Sequence, residues 1–288
     1  MPSKVRFLAR VLRHRLNRQP CYCPYCGPGS PVVRVRRKKL ILDIMRCDTC
    51  RLVFRWPMDT PEDTDSYYQD QYAPAYPQVH LPNDEELDRL IRSRFSDSPL
   101  DLAAKIKVLK ALRSCGRLLD FGSSWGYGTW QLAESGYDAT GFEISRPRAA
   151  YAKTKLGVRT IDCFEELQAL PAGSFNLIFT NHVVEHLSNI REVFDLMGRL
   201  LAPGGLAFHV LPNFLGRTAL TGQWIMWIGE EHPLAPNMEF FRTALPKHGF
   251  VDVRFGSSPF DGELVASLTE TKADARTDGD ELLVLGRR

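Results

Sequence analysis

No part of the chain is as informative as Gly116-Arg-Leu-Leu-Asp120-Phe-Gly122-Ser-Ser124-Trp-Gly126-Tyr-Gly128. Arg117 to Phe121 is a brief apolar run suited to a buried strand, Gly122 to Gly128 is dense in small residues, and Thr129 to Ser135 continues with helical spacing. Glycines at a strand-to-helix turn permit positive φ and remove the Cβ atoms that would hold a ligand away from the backbone. Tyr137 to Ile144 predicts a second strand, and Glu143 near its end can accept two hydrogen bonds from a ribose diol. The pattern is that of a site for a nucleoside-bearing cofactor.

A dinucleotide would require Gly-x-Gly-x-x-Gly facing a pyrophosphate. The only Gly-x-Gly here, Gly126 and Gly128, has Gln131 at the third position. Asp120, just before the loop, would repel pyrophosphate but suits a cationic or amino-bearing ligand.

These residues resemble the class I S-adenosylmethionine-dependent methyltransferases, whose loop is usually Asp-x-Gly-x-Gly-x-Gly. Asp120, Gly122 and Gly126 match it, and Ser124 replaces the middle glycine. The resemblance continues through a third strand at Val158 to Ile161 and a fourth at Ser174 to Asn181. It narrows at Glu185-His186 and at Leu200-Leu-Ala-Pro203-Gly204-Gly205 with the strand Leu206 to Val210, which are similar to the ubiquinone-biosynthesis-type and sugar-modifying methyltransferases. Asn176 stands where that subgroup commonly has aspartate. The resemblance implies an α/β, Rossmann-like seven-stranded sheet of order 3-2-1-4-5-7-6 with strand 7 antiparallel, spanning residues 101–288. It also implies cofactor contacts from Asp120, Phe121, Gly122, Ser124, Gly126, Glu143, Ile144, Asp162, Cys163, Phe164, Asn181 and His182.

A sulfonium methyl is already electrophilic, so the protein must align it with a nucleophile and, where needed, remove a proton. His182, Glu185 and His186 follow strand four, and His232 lies in the stretch after strand five. His182, His186 and His232 are the candidate catalytic residues. Two have a plainer reading, His186 as an organiser of the cofactor pocket and His182 as a packing or capping residue, which leaves His232, in Gly229-Glu230-Glu231-His232-Pro233, as the better substrate contact. Phe214 to Pro236, with Trp224, Met226 and Trp227, reads either as an acceptor wall or as core.

The net charge of +3 conceals an asymmetry: residues 1–56 carry fourteen Lys or Arg against Asp43 and Asp48. Within this segment Cys23-x-x-Cys26 and Cys47-x-x-Cys50 have the spacing of a four-thiolate zinc ribbon over residues 21–57. Four cysteine ligands leave no open position, so the zinc is expected to be structural. Cys21 is an alternative to Cys23 as ligand. Residues 58–100 read as a linker and lid helix, whose Tyr67, Tyr68, Tyr72 and Tyr76 serve either as a lid over substrate or as packing for the ribbon. Leu87 to Arg94 and Leu100 to Leu112 have helical spacing. Further along, Asn189 to Leu201 predicts a helix stopped by Pro203-Gly204-Gly205, Phe240 to His248 a helix stopped by Gly249, and Phe250 to Phe255 and Glu281 to Gly286 the last two strands. Ser257 to Asp280 reads as an exposed loop.

Residues 1–20 form a basic amphipathic segment with Val5, Leu8, Leu12 and Leu16 on one helical face. It reads as an interfacial helix with weak affinity for anionic membranes, as a helix docked on the acidic domain, or as an organellar presequence. No apolar run approaches a bilayer span, and a cytoplasmic protein, with membrane-peripheral association allowed, is the default. Three function classes follow. They are methyl transfer to a small molecule or sugar, including phosphate- or lipid-linked forms; methyl transfer to RNA held by the ribbon; and a non-catalytic cofactor-binding protein. Nucleic acid is the weaker partner, because aromatic residues are not interleaved with the basic run as a stacking platform requires.

Overall fold

The computed structural model describes residues 3–71, 80–214, 224–271 and 274–288. In chain order the strands are β1 (Val32–Lys38), β2 (Leu42–Cys47), β3 (Val53–Trp56), β4 (Arg117–Phe121), β5 (Asp138–Phe142), β6 (Thr160–Ile161), β7 (Phe175–Asn181), β8 (Leu201–Pro212), β9 (Leu234–Ala235), β10 (Asp252–Ser257) and β11 (Glu281–Arg287). Seven of them form one sheet in the order β10-β11-β8-β7-β4-β5-β6. β11 runs antiparallel to both β8 and β10, and the other pairings are parallel. This is the expected 3-2-1-4-5-7-6 order. The central strands are largely buried, as parallel sheets covered by helices must be, and β4 and β7 admit polar residues only at Arg117, Asp120, Asn176, Thr180 and Asn181.

Asn176 performs the structural role open to an aspartate at that position: its Oδ1 accepts the Arg117 N–H at 3.0 Å, tying β7 to the start of β4. Two local expectations are corrected. The first is the role of Pro203-Gly204-Gly205: the expected helix is found, as Ile190–Leu200, ending where Leu201 turns extended two residues before Pro203, but the Pro-Gly-Gly segment is not a loop outside the sheet. Instead β8 starts at Leu201, opposite Phe175, and resumes its pairing at Leu206 opposite Leu177, so the Pro-Gly-Gly segment is a bulge within the strand. Nor is 257–280 wholly an exposed loop. Asp261 caps a helix, Gly262–Ala266, continued by a wider turn Ser267–Thr271, and Leu264 and Leu268, four residues apart, are buried against the sheet's second face. Net acidity hid that apolar spacing.

The small N-terminal sheet has the order β1-β2-β3-β9, so its last strand comes from the 214–236 region of the α/β part. Cys23, Tyr25, Met45, Cys47, Cys50, Leu52 and Phe54 share one hydrophobic core with Phe194, Phe240, Phe241 and Leu245. Tyr25 stands edge-on to Phe240 with ring centroids 5.3 Å apart, and its hydroxyl donates to the Ala244 carbonyl. The helix Ser3–Leu16 packs Phe7 and Val11 on Leu42. Its Arg13 and His14 reach Asp63, both at 2.6 Å, in the helix Pro61–Ser66. Among the described residues no helix is long and apolar enough to cross a membrane.

Candidate functional site

The glycine loop is fastened to the end of β5: the Gly122 and Ser123 N–H groups both donate to the Phe142 carbonyl, at 2.8 and 2.9 Å. Gly122 has φ +82, and a Cβ there would lie 2.5 Å from Val183 Cγ2. Gly126 has φ +89 and opens the helix Tyr127–Glu134; a Cβ on it would meet that of Ala152 at 2.8 Å. Ser124 also takes a left-handed backbone, φ +50, so the position that would carry a glycine keeps a glycine's conformation.

Glu143 is buried and holds this loop from below. Its Oε2 accepts the Ser124 N–H at 2.9 Å and its Oε1 accepts the Ser145 N–H at 2.7 Å. Burial pushes its carboxyl above the usual range, while these N–H donors and Arg148 oppose the rise. Asp120 lies deeper. Thr129 donates to its Oδ2 at 2.7 Å, and desolvation lifts its pKa to about 7, so its position is beneath the loop, bracing the following helix. Phe121 packs on Phe142 at 4.8 Å, and Phe142 on Phe164 at 5.9 Å. Beyond β6, Asp162 pairs with Lys153 at 2.8 Å, and the exposed Cys163 donates to Glu165.

Over this edge lies the linker. In the π-helical turn Tyr67–Gln71, Gln69 donates to the Ile144 carbonyl at 2.9 Å and accepts from the Arg146 N–H at 3.3 Å. Tyr67 and Tyr68 stand edge to face with ring centroids 5.4 Å apart, lining one pocket with His186. Tyr72 and Tyr76 lie outside the described residues.

At the carboxyl end of β7 a second group assembles. Lys105 donates to Asn181 Oδ1 at 2.8 Å and to Glu281 Oε1 at 2.7 Å. His182 Nε2 meets the same Glu281 oxygen at 2.7 Å, and its Nδ1 lies 3.4 Å from Glu185. Burial opposes charge on His182, but its two carboxylate partners outweigh it and raise the pKa to about 9. Glu281, also desolvated, is nevertheless held down at about 2 by His182 and Lys105. The His182 backbone is left-handed, φ +55, which turns the chain back toward Gly122.

Glu185 is fully buried, and its donor atoms lie with those of His186 and His232 all within 4.8 Å of one another, close enough to share one cation. The two imidazoles are 4.8 Å apart. Desolvation lowers His186 to about 4, and its Nδ1 faces the Glu231 carbonyl. His186 and His232 therefore form a cluster of their own, linked to the His182 group through Glu185.

Sequence reading did not single out Lys105, Gln69 or Glu281. For Glu281 a signal existed: strand seven runs antiparallel to strand five, so the residue that opens it must lie at the edge where strands four and five end. A cavity of about 440 Å³ lies between residues 80–100 and Trp125 of the glycine loop, and neither Glu143 nor His182 lines it.

In the ribbon, Cys23, Cys26, Cys47 and Cys50 place their sulfurs within 4.8 Å of one another. Cys23 Sγ is 3.5 Å from Cys50 Sγ, and Cys47 Sγ is 3.8 Å from Cys26 Sγ. A tetrahedron with zinc–sulfur bonds of about 2.3 Å has edges of about 3.8 Å, so these spacings fit that ion and are far beyond a disulfide. Cys21 is not among the four.

Curated proteins and solved structures bear on this arrangement. The chain is 34% identical over 97 residues to the ubiquinone biosynthesis O-methyltransferase of a Caulobacter species, covering 31% of this chain and 38% of that protein. It is 30% identical over 102 residues to the enzyme of the same name from Caulobacter vibrioides, covering 33% and 40%. The match thus spans well under half of either relative. In fold it is similar to a protein of Pyrococcus horikoshii, with TM-score 0.53 and 14% identity over 76% of this chain and 98% of that one. It is also similar to a SAM-dependent methyltransferase of Archaeoglobus fulgidus, with TM-score 0.50 and 17% identity over 70% and 99%. The methyltransferase domain family matches residues 87–254, more than half of the chain and the stretch that holds the glycine loop, Glu143 and His182, so the protein belongs to that family, among the class I S-adenosylmethionine-dependent methyltransferases.

Proposed function

We propose that the chain methylates an oxygen of a small molecule or sugar, free or phosphate- or lipid-linked, and that His182 is the proton acceptor. The observation that carries this reading is the His182–Glu281 contact at 2.7 Å beside the glycine loop. Glu143 and the Gly122–Gly128 backbone would hold the ribose and the amino-acid part of the cofactor, and Asp162 and Phe164 the adenine side. S-adenosylmethionine supplies an electrophilic sulfonium methyl when bound. The chain's own work is to place an acceptor hydroxyl against that methyl and to take its proton on His182. The resulting imidazolium is stabilised by Glu281 and Glu185, while Lys105 fixes Glu281. An oxygen acceptor is favoured by the partial likeness to the ubiquinone biosynthesis O-methyltransferases.

The test combines calorimetric titration with S-adenosylmethionine and a search for S-adenosylhomocysteine formation over panels of phenols, catechols and sugar phosphates. Cofactor binding without turnover on any panel would favour a non-catalytic role. Turnover only on RNA would overturn the small-molecule reading. We further infer one structural zinc on Cys23, Cys26, Cys47 and Cys50, folding the ribbon and, through Tyr25, its seam with Phe240. Elemental analysis should find one zinc per chain, lost in Cys47→Ser. A second equivalent that survives this change would point to Glu185, His186 and His232.

A further inference from the structure

Large hydrophobic side chains are exposed at eleven places among the described residues, and nine of these fall in three adjoining elements near the N-terminal sheet. The helix Ser3–Leu16 turns Phe7 and Val11 inward, which leaves Val5, Leu8, Leu12 and Leu16 in solvent, Leu16 at 82%. The β1–β2 hairpin exposes Val33 and Val35 on its edge strand and Leu40, at 83%, in its turn. Met226 and Trp227 protrude from the short helix Trp224–Trp227.

Contacts bind these elements into one surface. Arg15 on the helix donates to the Ile41 carbonyl in the hairpin turn, at 2.6 Å. Lys38, at the end of β1, donates to the carbonyls of Ile225, Met226 and Ile228. Arg10 lies 3.8 Å from Glu230.

The surface is as basic as it is apolar. The first acidic residue in the chain is Asp43, and it is already engaged by Arg15, Arg37 and Arg34. Arg6, Arg18, Arg36 and Lys39 are exposed and have no ion pair among the described residues. Isolated apolar side chains need no explanation, but nine of them on three elements that touch one another, with exposed cations among them, do. Leucine, valine and tryptophan gain nothing from a phosphodiester backbone, whereas they gain from entering the acyl region while the cations stay among anionic headgroups.

We propose that this face docks on an anionic lipid bilayer, the apolar side chains of the helix, the hairpin turn and Trp227 entering the interface. The same helix grips Asp63, two turns before Gln69 on the cofactor edge, so the docked face and the site share one short linker.

The test uses the full-length protein, with vesicles of phosphatidylglycerol and phosphatidylcholine in equal parts and of phosphatidylcholine alone. Co-sedimentation is expected with the mixed vesicles at low salt, falling as salt rises, and not with phosphatidylcholine alone. Leu16→Glu with Leu40→Glu, both at solvent-exposed positions, should weaken binding about tenfold or more with an unchanged melting temperature, and Arg36→Glu with Lys39→Glu should do the same. Absence of binding to the mixed vesicles at low salt overturns the proposal. So does full binding by the Leu→Glu pair, which would leave only electrostatic attraction. RNA binding or self-association without vesicle binding would reassign the face and likewise overturn it. Sedimentation and methyl transfer are read independently, so failure of one leaves the other standing.

Discussion

The two halves of the candidate site are built by different means. On the cofactor edge, Ser124 and Glu143 are 19 residues apart, and their contact follows from one strand-loop-helix-strand unit whose backbone does most of the bonding. On the acceptor edge, Lys105 and Glu281 are 176 residues apart and His182 and Glu281 are 99 apart, and these contacts are made by side chains. The first half is a local consequence of sequence, and the second exists only once the sheet has closed around it. Binding of the nucleoside should therefore depend on short-range backbone geometry, and chemistry on a charge network that spans the fold.

If that division holds, the halves separate under mutation. His182→Ala should lower turnover by about 10²–10⁴-fold, the range for losing a general base, and leave the S-adenosylmethionine dissociation constant within a few-fold of the wild type. Equal losses in both would mean that His182 belongs to the cofactor edge. Glu143→Ala should show the reverse pattern, weakening cofactor binding by about 1.5–3 kcal/mol, with most activity recovered at saturating cofactor. An unchanged dissociation constant would remove Glu143 from the ribose site.

The charge network makes a smaller but sharper prediction. His182 is raised to about 9 because Glu281 and Glu185 favour its cation. Lys105 stands behind Glu281, and His186, lowered to about 4, remains neutral nearby. A raised histidine pKa adds stability below its unfolded value, and that contribution is lost as pH rises through about 9. The proton-accepting form grows over the same interval. Turnover should therefore climb with pH toward about 9 while the melting temperature falls slightly. Glu281→Gln should move the midpoint down toward the ordinary histidine value. A pH–rate midpoint that ignores Glu281→Gln would show that His182 is not the titrating group.

The difference between the halves also explains what was legible in the sequence. β4 was found at its exact limits, and β5 and β7 to within two residues, because a glycine turn at Gly116, Gly136 or Gly173 precedes each short, mostly apolar segment. Gly122, Gly126 and the four ribbon cysteines were visible because their spacing carries their geometry. Lys105 was not, since a lysine on the helix Ala103–Leu112 looks like any solvated charge until β7 and β11 are placed beside it. Pro203-Gly204-Gly205 ended the expected helix to within one residue, but the start of β8 at Leu201, before that segment, was not legible, because the pairing of Leu201 and Leu206 with one partner strand is long-range. The buried Leu264 and Leu268 were obscured by the charges around them.

The smallest effect should come from the linker, which touches the cofactor edge without being part of its local unit. Gln69 bridges the Ile144 carbonyl and the Arg146 N–H, immediately after the strand that ends beside Glu143. It is held there by the helix Pro61–Ser66, whose Asp63 is fixed by Arg13 and His14. Gln69→Ala removes two neutral hydrogen bonds, one to the half-buried Ile144 carbonyl and one to the exposed Arg146 N–H, that water can replace, so a loss of about 0.5–1.5 kcal/mol in cofactor affinity is expected. If the bridge covers the bound cofactor, the loss falls mainly on the dissociation rate, measured by cofactor release in stopped flow. If release is unchanged in Gln69→Ala, the linker packs on the site without covering it, and the cofactor edge is complete without it.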